Sequence, residues 1–159
     1  MDFVLPRRAH VFVDESNSGS YYIAAAVIAP VDVVATGSTI KGLRHRESPA
    51  VHFKSERDSV RRAFLKGAAA TGVQTVVYVV SGQPDKVARP TCLGALIEDL
   101  CHANAEQLRV QENKNLRYTH MRRNEEPLLW VGDAVAWCLQ KDGSWRTDVE
   151  PLIGEVRRL

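Results

Sequence analysis

Residues 10–14 read HVFVD, residues 16–20 read SNSGS and residues 21–29 read YYIAAAVIA. The first run is short, apolar and rich in β-branched and aromatic residues, as a buried strand is. The serines, asparagine and glycine that follow are turn formers, and the second run is again strand-like. Together they predict a β-hairpin that Pro30 closes.

Outward from the hairpin the pattern alternates. Gly37 and several β-branched residues weaken the signal over residues 31–44, where a helix is expected all the same. Residues 51–53 (VHF) read as a short strand, and Ser55-x-x-Asp58 has capping-box spacing ahead of a helix with Val60, Ala63, Phe64, Gly67 and Ala68 on one face. Gly72 ends that helix, and residues 73–80 (VQTVVYVV) are the strongest strand in the chain. Pro90 opens the next helix, whose stripe is Leu93, Leu96, Ile97, Leu100 and Cys101. Residues 108–110 and 116–119 read as short strands, Pro127 starts a long helix over residues 127–140, and a short amphipathic tail follows residues 141–144. Only residues 111–115 separate the two short strands, too few for a parallel crossover of about a dozen residues. They form an antiparallel hairpin, are one interrupted strand, or flank a segment absent from the chain.

A hairpin followed by alternating strands and helices predicts a mixed α/β fold around one sheet. With 159 residues, 45% of them hydrophobic and 25% charged, the chain fits one globular domain over residues 1–159. The longest apolar run, residues 21–31, is far shorter than the ~20 residues that span a bilayer. No charged-then-apolar leader opens the chain, and three cysteines without a C-x-x-C pair argue against a disulfide scaffold or a zinc ribbon. A soluble cytoplasmic protein that does not enter the membrane is expected.

The net charge of +2 does not announce a nucleic-acid binder, but its distribution is uneven. Residues 41–66 carry eight Lys and Arg against three acids, and Arg117, His120, Arg122 and Arg123 form a second basic cluster. Such patches track phosphates, or simply form a solvated helix face.

Two acids stand out. Asp14 ends a buried strand on the same side as His10 and Phe12, where it either caps the next turn or binds a cation. Asp133 lies three and four residues from Trp130 and Leu129, and from Ala136 and Trp137, in the middle of an apolar helical stripe. An arginine such as Arg122 or Arg123 would satisfy it, and so would a metal ion. Two carboxylates from a central strand and a neighbouring helix suit a hard divalent cation, and paired ions of this kind serve phosphodiester displacement. Glu56 is the first candidate for a third ligand and Glu112 the second, each against the bland reading of an ordinary helix-start or strand-end acid. His52 is a candidate acid, base or ligand, or simply a packed histidine. Phosphate-binding loops, dinucleotide fingerprints, nucleophile elbows and H-E-x-x-H are all missing from the sequence, and the cysteines sit among apolar neighbours.

The segments VFVDESNSGSYYIAAAVIAP, VHFKSERDSVRRAFL and EEPLLWVGDAVAWCL resemble a bacterial and phage family still called a domain of unknown function (DUF thirty-eight hundred). The resemblance covers most of the chain and implies a ribonuclease-H-like fold with a central five-stranded mixed sheet flanked by helices. It also implies a metal-binding pair at Asp14, with Glu15 beside it, and Asp133, with Glu56 as a helix acid. The sequence departs from the family where Asn17 replaces the DESG glycine, and where residues 106–118 are shorter than in relatives.

The expected function is a Mg²⁺- or Mn²⁺-dependent nuclease or related phosphoryl-transfer enzyme. Asp14, Asp133 and Glu56 are its expected metal ligands, Glu15 and His52 complete the catalytic set, and Lys54, Arg57, Arg61 and Arg122 contact a nucleic-acid backbone. RNA, DNA and hybrid substrates remain open, as does a homodimer. The alternative is a catalytically degenerate binding or adaptor module of a mobile-element or defence system.

Overall fold

The computed structural model describes residues 3–105, 119–141 and 143–159. Among these, four strands form one mixed sheet: β1 (His10–Ser16), β2 (Tyr21–Ile28), β3 (Gln74–Val80) and β4 (Ile153–Arg158), in that spatial order. β1 pairs antiparallel with β2, β2 antiparallel with β3, and β3 parallel with β4. Helices α1 (Val33–Lys41), α2 (Asp58–Ala70), α4 (Leu129–Leu139) and α5 (Ser144–Val149) cover one face, and α3 (Asp85–Ala105) covers the other. The expected α/β fold with a helix-flanked mixed sheet is present.

The two-residue strand period sorts side chains between these layers. Asp14, Ala24 and Val77 stand opposite one another across β1, β2 and β3, in the layer beneath α4. The next row is Glu15, Ile23 and Tyr78, which lies on the α3 side. Neighbouring acids in the sequence therefore enter different environments.

Helix α4 is apolar on almost every side because it is packed on almost every side. Trp130, Val131, Ala134, Val135, Ala136 and Cys138 are buried between the sheet and α2 and α5. A second clasp holds its far end. Phe53 packs edge-on against Trp137 at 5.4 Å, Trp137 against Trp145 at 5.2 Å, and the Arg61 guanidinium lies 4.2 Å over the Trp137 ring.

Several elements differ from the sequence reading. Residues 51–53 are not a strand: Val51 and Phe53 are buried, but Phe53 begins a 3-10 turn in which Ser55 N–H donates to His52 O. No capping box forms, because Ser55 belongs to that turn and α2 starts at Asp58, whose carboxylate pairs with Arg61 at 2.7 Å. Helix α3 starts at Asp85, five residues before Pro90. The proline is tolerated because the Lys86 carbonyl that it leaves without a donor is on the exposed face. The buried stripe of α3 is Ala88, Cys92 and Leu96, leaving Ile97 and Cys101 exposed. Helix α4 starts at Leu129 rather than Pro127. The C-terminal tail is α5 followed by β4, so the fourth strand comes from a segment not read as one. The candidate strands at 108–110 and 116–118, and Glu112, lie outside the described residues, and Thr119 is irregular.

Strand β4 is charged because it lies at the sheet edge, and one of its arginines is tied down. Arg157 pairs with Asp99 of α3, whose other oxygen accepts the Tyr78 hydroxyl at 2.6 Å. Burial would raise the Asp99 carboxyl, but the Arg157 and Tyr78 hydrogen bonds outweigh it and hold the group below its ordinary 3.8. A depressed carboxyl adds stability above its unfolded pKa and loses it as pH falls through the folded value. Asp99→Asn is therefore expected to cost about 1.5–3 kcal/mol at neutral pH. The deficit should shrink as urea denaturation is repeated at pH values progressively below 3.8.

Candidate functional site

Helix α4 crosses β1 and β2 at Gly132. A Cβ there would lie 2.9 Å from Ala24 O, closer than a side chain permits, and a tight 3.2 Å from Asp14 Cβ. Glycine in a helix interior costs about 1 kcal/mol relative to alanine, so its gain here is the close approach of helix to sheet. Ala24 and Ala26 supply the matching small surface on β2 and are fully buried. Asp133, the next residue after Gly132, is thereby brought over the end of β1 where Asp14 stands.

One guanidinium joins the two acids. Arg123 Nη2 lies 3.3 Å from Asp14 Oδ2 and 3.6 Å from Asp133 Oδ1. Its backbone is anchored separately, because Arg123 O accepts the Trp130 indole N–H at 2.7 Å. Asp133 Oδ2 accepts the Phe53 backbone N–H at 2.8 Å, so the carboxylate also fastens the segment after His52 to α4. Asp14 Oδ1 accepts the Glu15 N–H at 2.8 Å, a contact within β1 rather than a cap on the turn that follows Ser16.

His52 completes the cluster. Its Nδ1 is 2.5 Å from Arg123 Nη1 and 3.4 Å from Asp133 Oδ2. Arginine only donates, so Nδ1 is the acceptor in this contact. The longer approach to Asp133 is then a proximity rather than a hydrogen bond.

Burial raises the Asp14 carboxyl above 3.8, and the Asp133 charge adds to that rise. The Glu15 N–H and Arg123 oppose it without cancelling it. Ionising Asp14 at neutral pH thus works against folding, which is what two half-enclosed carboxylates do when their positive charge is insufficient.

The other expected site residues are placed as follows. Glu15 faces α3 and forms a two-pronged pair with Arg89, Nε to Oε2 at 2.9 Å and Nη2 to Oε1 at 3.0 Å, and accepts the Tyr21 hydroxyl. It is across the sheet from Asp14 and does not join the cluster. Glu56 is half-buried after the 3-10 turn, four residues beyond His52, with its backbone N–H donating to Phe53 O. Lys54, Arg57 and Arg122 are exposed. Arg61 is not: its side chain is 13% exposed and it donates to Phe53 O, Lys54 O and Asp58 while covering Trp137. It is a structural strap between α2 and the His52 segment. The Cys138 thiol is pushed up to about 12 by burial, which removes it as a nucleophile.

The sequence reading included Arg123 among possible partners of Asp133 but did not see that it also reaches Asp14. It missed the roles of Gly132 and Trp130. The W-x-G-D order was the available signal, since a glycine beside the lone acid of an apolar helix marks a close crossing.

Two carboxylates are oxygen donors of the kind that hard divalent ions accept, while the imidazole is a ligand type better suited to ions such as Zn²⁺. The carboxylate pair fits a hard divalent ion, with Arg123 lying where its charge would act. Among the described residues no group of three or more His, Cys, Asp or Glu side chains is arranged as a metal cage, and no helix is long and apolar enough to cross a membrane. Compared with known proteins, the chain matches no family model, no curated protein and no solved structure.

Gly132→Ala should destabilise the fold by about 1–3 kcal/mol through overpacking, despite alanine's better helix propensity. Gly94→Ala, where an added Cβ meets nothing within 4 Å, should stabilise by about 0.5–1 kcal/mol in the same urea titration. Equal effects at the two glycines would remove the close-crossing argument. A second expectation follows from the raised Asp14 carboxyl, which costs stability above its folded pKa and costs none below 3.8. In chelator, Asp14→Asn should melt above the wild type at neutral pH, and the two curves should converge as pH approaches 3.8.

Proposed function

We propose that this chain is a ribonuclease-H-like, divalent-metal-dependent nuclease or related phosphoryl-transfer enzyme that acts on nucleic acid. The observation that carries the reading is the meeting of Asp14 and Asp133, from opposite ends of the chain, beneath one shared cation. An antiparallel β1–β2–β3 core with helices on both faces is compatible with the ribonuclease-H-like assignment.

In this reading Asp14 and Asp133 would hold Mg²⁺ or Mn²⁺, with Glu56, four residues beyond His52, as the third ligand. The ion supplies Lewis acidity toward a phosphodiester. The Phe53 N–H holds the Asp133 carboxylate in orientation, and His52, beside Asp133, is the group for proton exchange with water or a leaving oxygen. Lys54, Arg57 and Arg122 adjoin the cluster in sequence and are exposed, so they serve as the backbone contacts. Arg61 is withdrawn from that role by its structural bonds, and Glu15 from ligation by Arg89. Three free thiols suit a reducing cytoplasm.

A second reading, a binding or adaptor module on the same scaffold, is favoured by one observation: Arg123 already gives both acids a positive partner. Mn²⁺ calorimetry on wild type and Asp14→Asn, followed by cleavage assays on RNA, DNA and hybrid, separates the two. The nuclease reading expects saturable Mn²⁺ binding that the variant loses, and cleavage that chelator abolishes. Nucleic-acid binding that survives both chelator and the variant, with no cleavage, would establish the adaptor instead.

A further inference from the structure

We propose that Arg123 is a resident counter-ion that occupies the carboxylate pair in the metal-free protein and must swing away for a divalent ion to enter. The inference rests on the metal reading above and concerns how that site is filled.

Three features of Arg123 suit it to leave the carboxylates, a movement that also gives up its 2.5 Å contact with His52 Nδ1. Its contacts with the carboxylates are long, 3.3 Å to Asp14 and 3.6 Å to Asp133, and a single nitrogen makes both. A tight two-pronged arginine–carboxylate pair is shorter and uses parallel bonds, as Arg89 does with Glu15 at 2.9 and 3.0 Å. The side chain is 33% exposed, so a path to solvent exists. Its backbone is held by the Trp130 indole, which lets the guanidinium move while its Cα stays in place.

The same geometry forbids joint occupancy. A dication bound between Asp14 and Asp133 would meet a guanidinium within a few ångströms, and like charges at that range repel strongly in a half-buried site. Metal affinity is then reduced by the fraction of molecules in which the arginine is seated. Asp133 stays oriented throughout, because its bond to the Phe53 N–H involves the other oxygen, Oδ2.

The test is Mn²⁺ calorimetry on the full chain, wild type against Arg123→Gln, a neutral variant of similar reach. Arg123→Gln should bind Mn²⁺ about tenfold more tightly or better. It should also melt lower than wild type in chelator and gain more from added Mn²⁺. Equal or weaker Mn²⁺ binding by Arg123→Gln, with clear binding by wild type, would overturn the exchange and leave the metal site standing. Failure of both proteins to bind Mn²⁺ would overturn the site and the exchange together. If Arg123→Gln does not fold, the wild type still decides: the Arg123 Nε–H NMR resonance should move toward the free-arginine position as Mg²⁺ saturates. A resonance unchanged at saturation would refute the proposal.

Discussion

Two carboxylates lie within reach of one guanidinium where α4 crosses β1, and much of the surrounding structure serves that arrangement. Charges in a half-enclosed position carry a desolvation cost that only nearby charge and hydrogen bonds offset. Every neighbour of the cluster answers to this. Gly132 and Ala24 let the helix come close enough for the acids to share a cation, and Trp130 fixes the turn that delivers it. Phe53 gives one Asp133 oxygen a backbone donor, which also ties down the 3-10 turn and, through Arg61, the start of α2. The shared positive charge still falls short for Asp14, whose carboxyl is raised by burial and by Asp133.

That shortfall is what links the architecture to the cation chemistry proposed for it. The sheet contributes one acid from a strand with a partner on β2, and the most enclosed helix contributes the other. Neither acid therefore depends on a long loop for its position. The imidazole of His52 enters on the segment that Asp133 anchors, so the imidazole and the carboxylate are positioned by one bond. The exposed Lys54 and Arg57 follow in the same segment, and Arg122 adjoins Arg123.

Much of this was legible before the fold was known. The hairpin, β3 and the apolar helix carrying Asp133 follow from periodicity and turn chemistry, α1 stands where the signal is weakened by Gly37 and β-branched residues, and Asp14 and Asp133 stood out as acids in apolar surroundings. The failures have physical causes. Val51 and Phe53 are as apolar as a strand residue, but they are buried in the helical core, Phe53 against Phe64 of α2 and Trp137 of α4, rather than by sheet pairing. Pro90 marks a helix start only when its missing donor matters, and on an exposed face it does not. Strand β4 (IGEVRR) hides its nature because it lies at the sheet edge and an arginine there is neutralised by Asp99 of α3. The strand period places Glu15 on the opposite face from Asp14, but only the Arg89 pairing identifies its purpose.

The central claim is that Asp14 and Asp133 together form a cation site. Its most direct test is paramagnetic broadening of backbone amide resonances by substoichiometric Mn²⁺. The account predicts that residues 13–15, 52–54 and 132–134 broaden first, because they surround the two carboxylates from three separate segments. Broadening centred on the surface acids Asp58 and Asp148, or spread evenly over the protein, would contradict it.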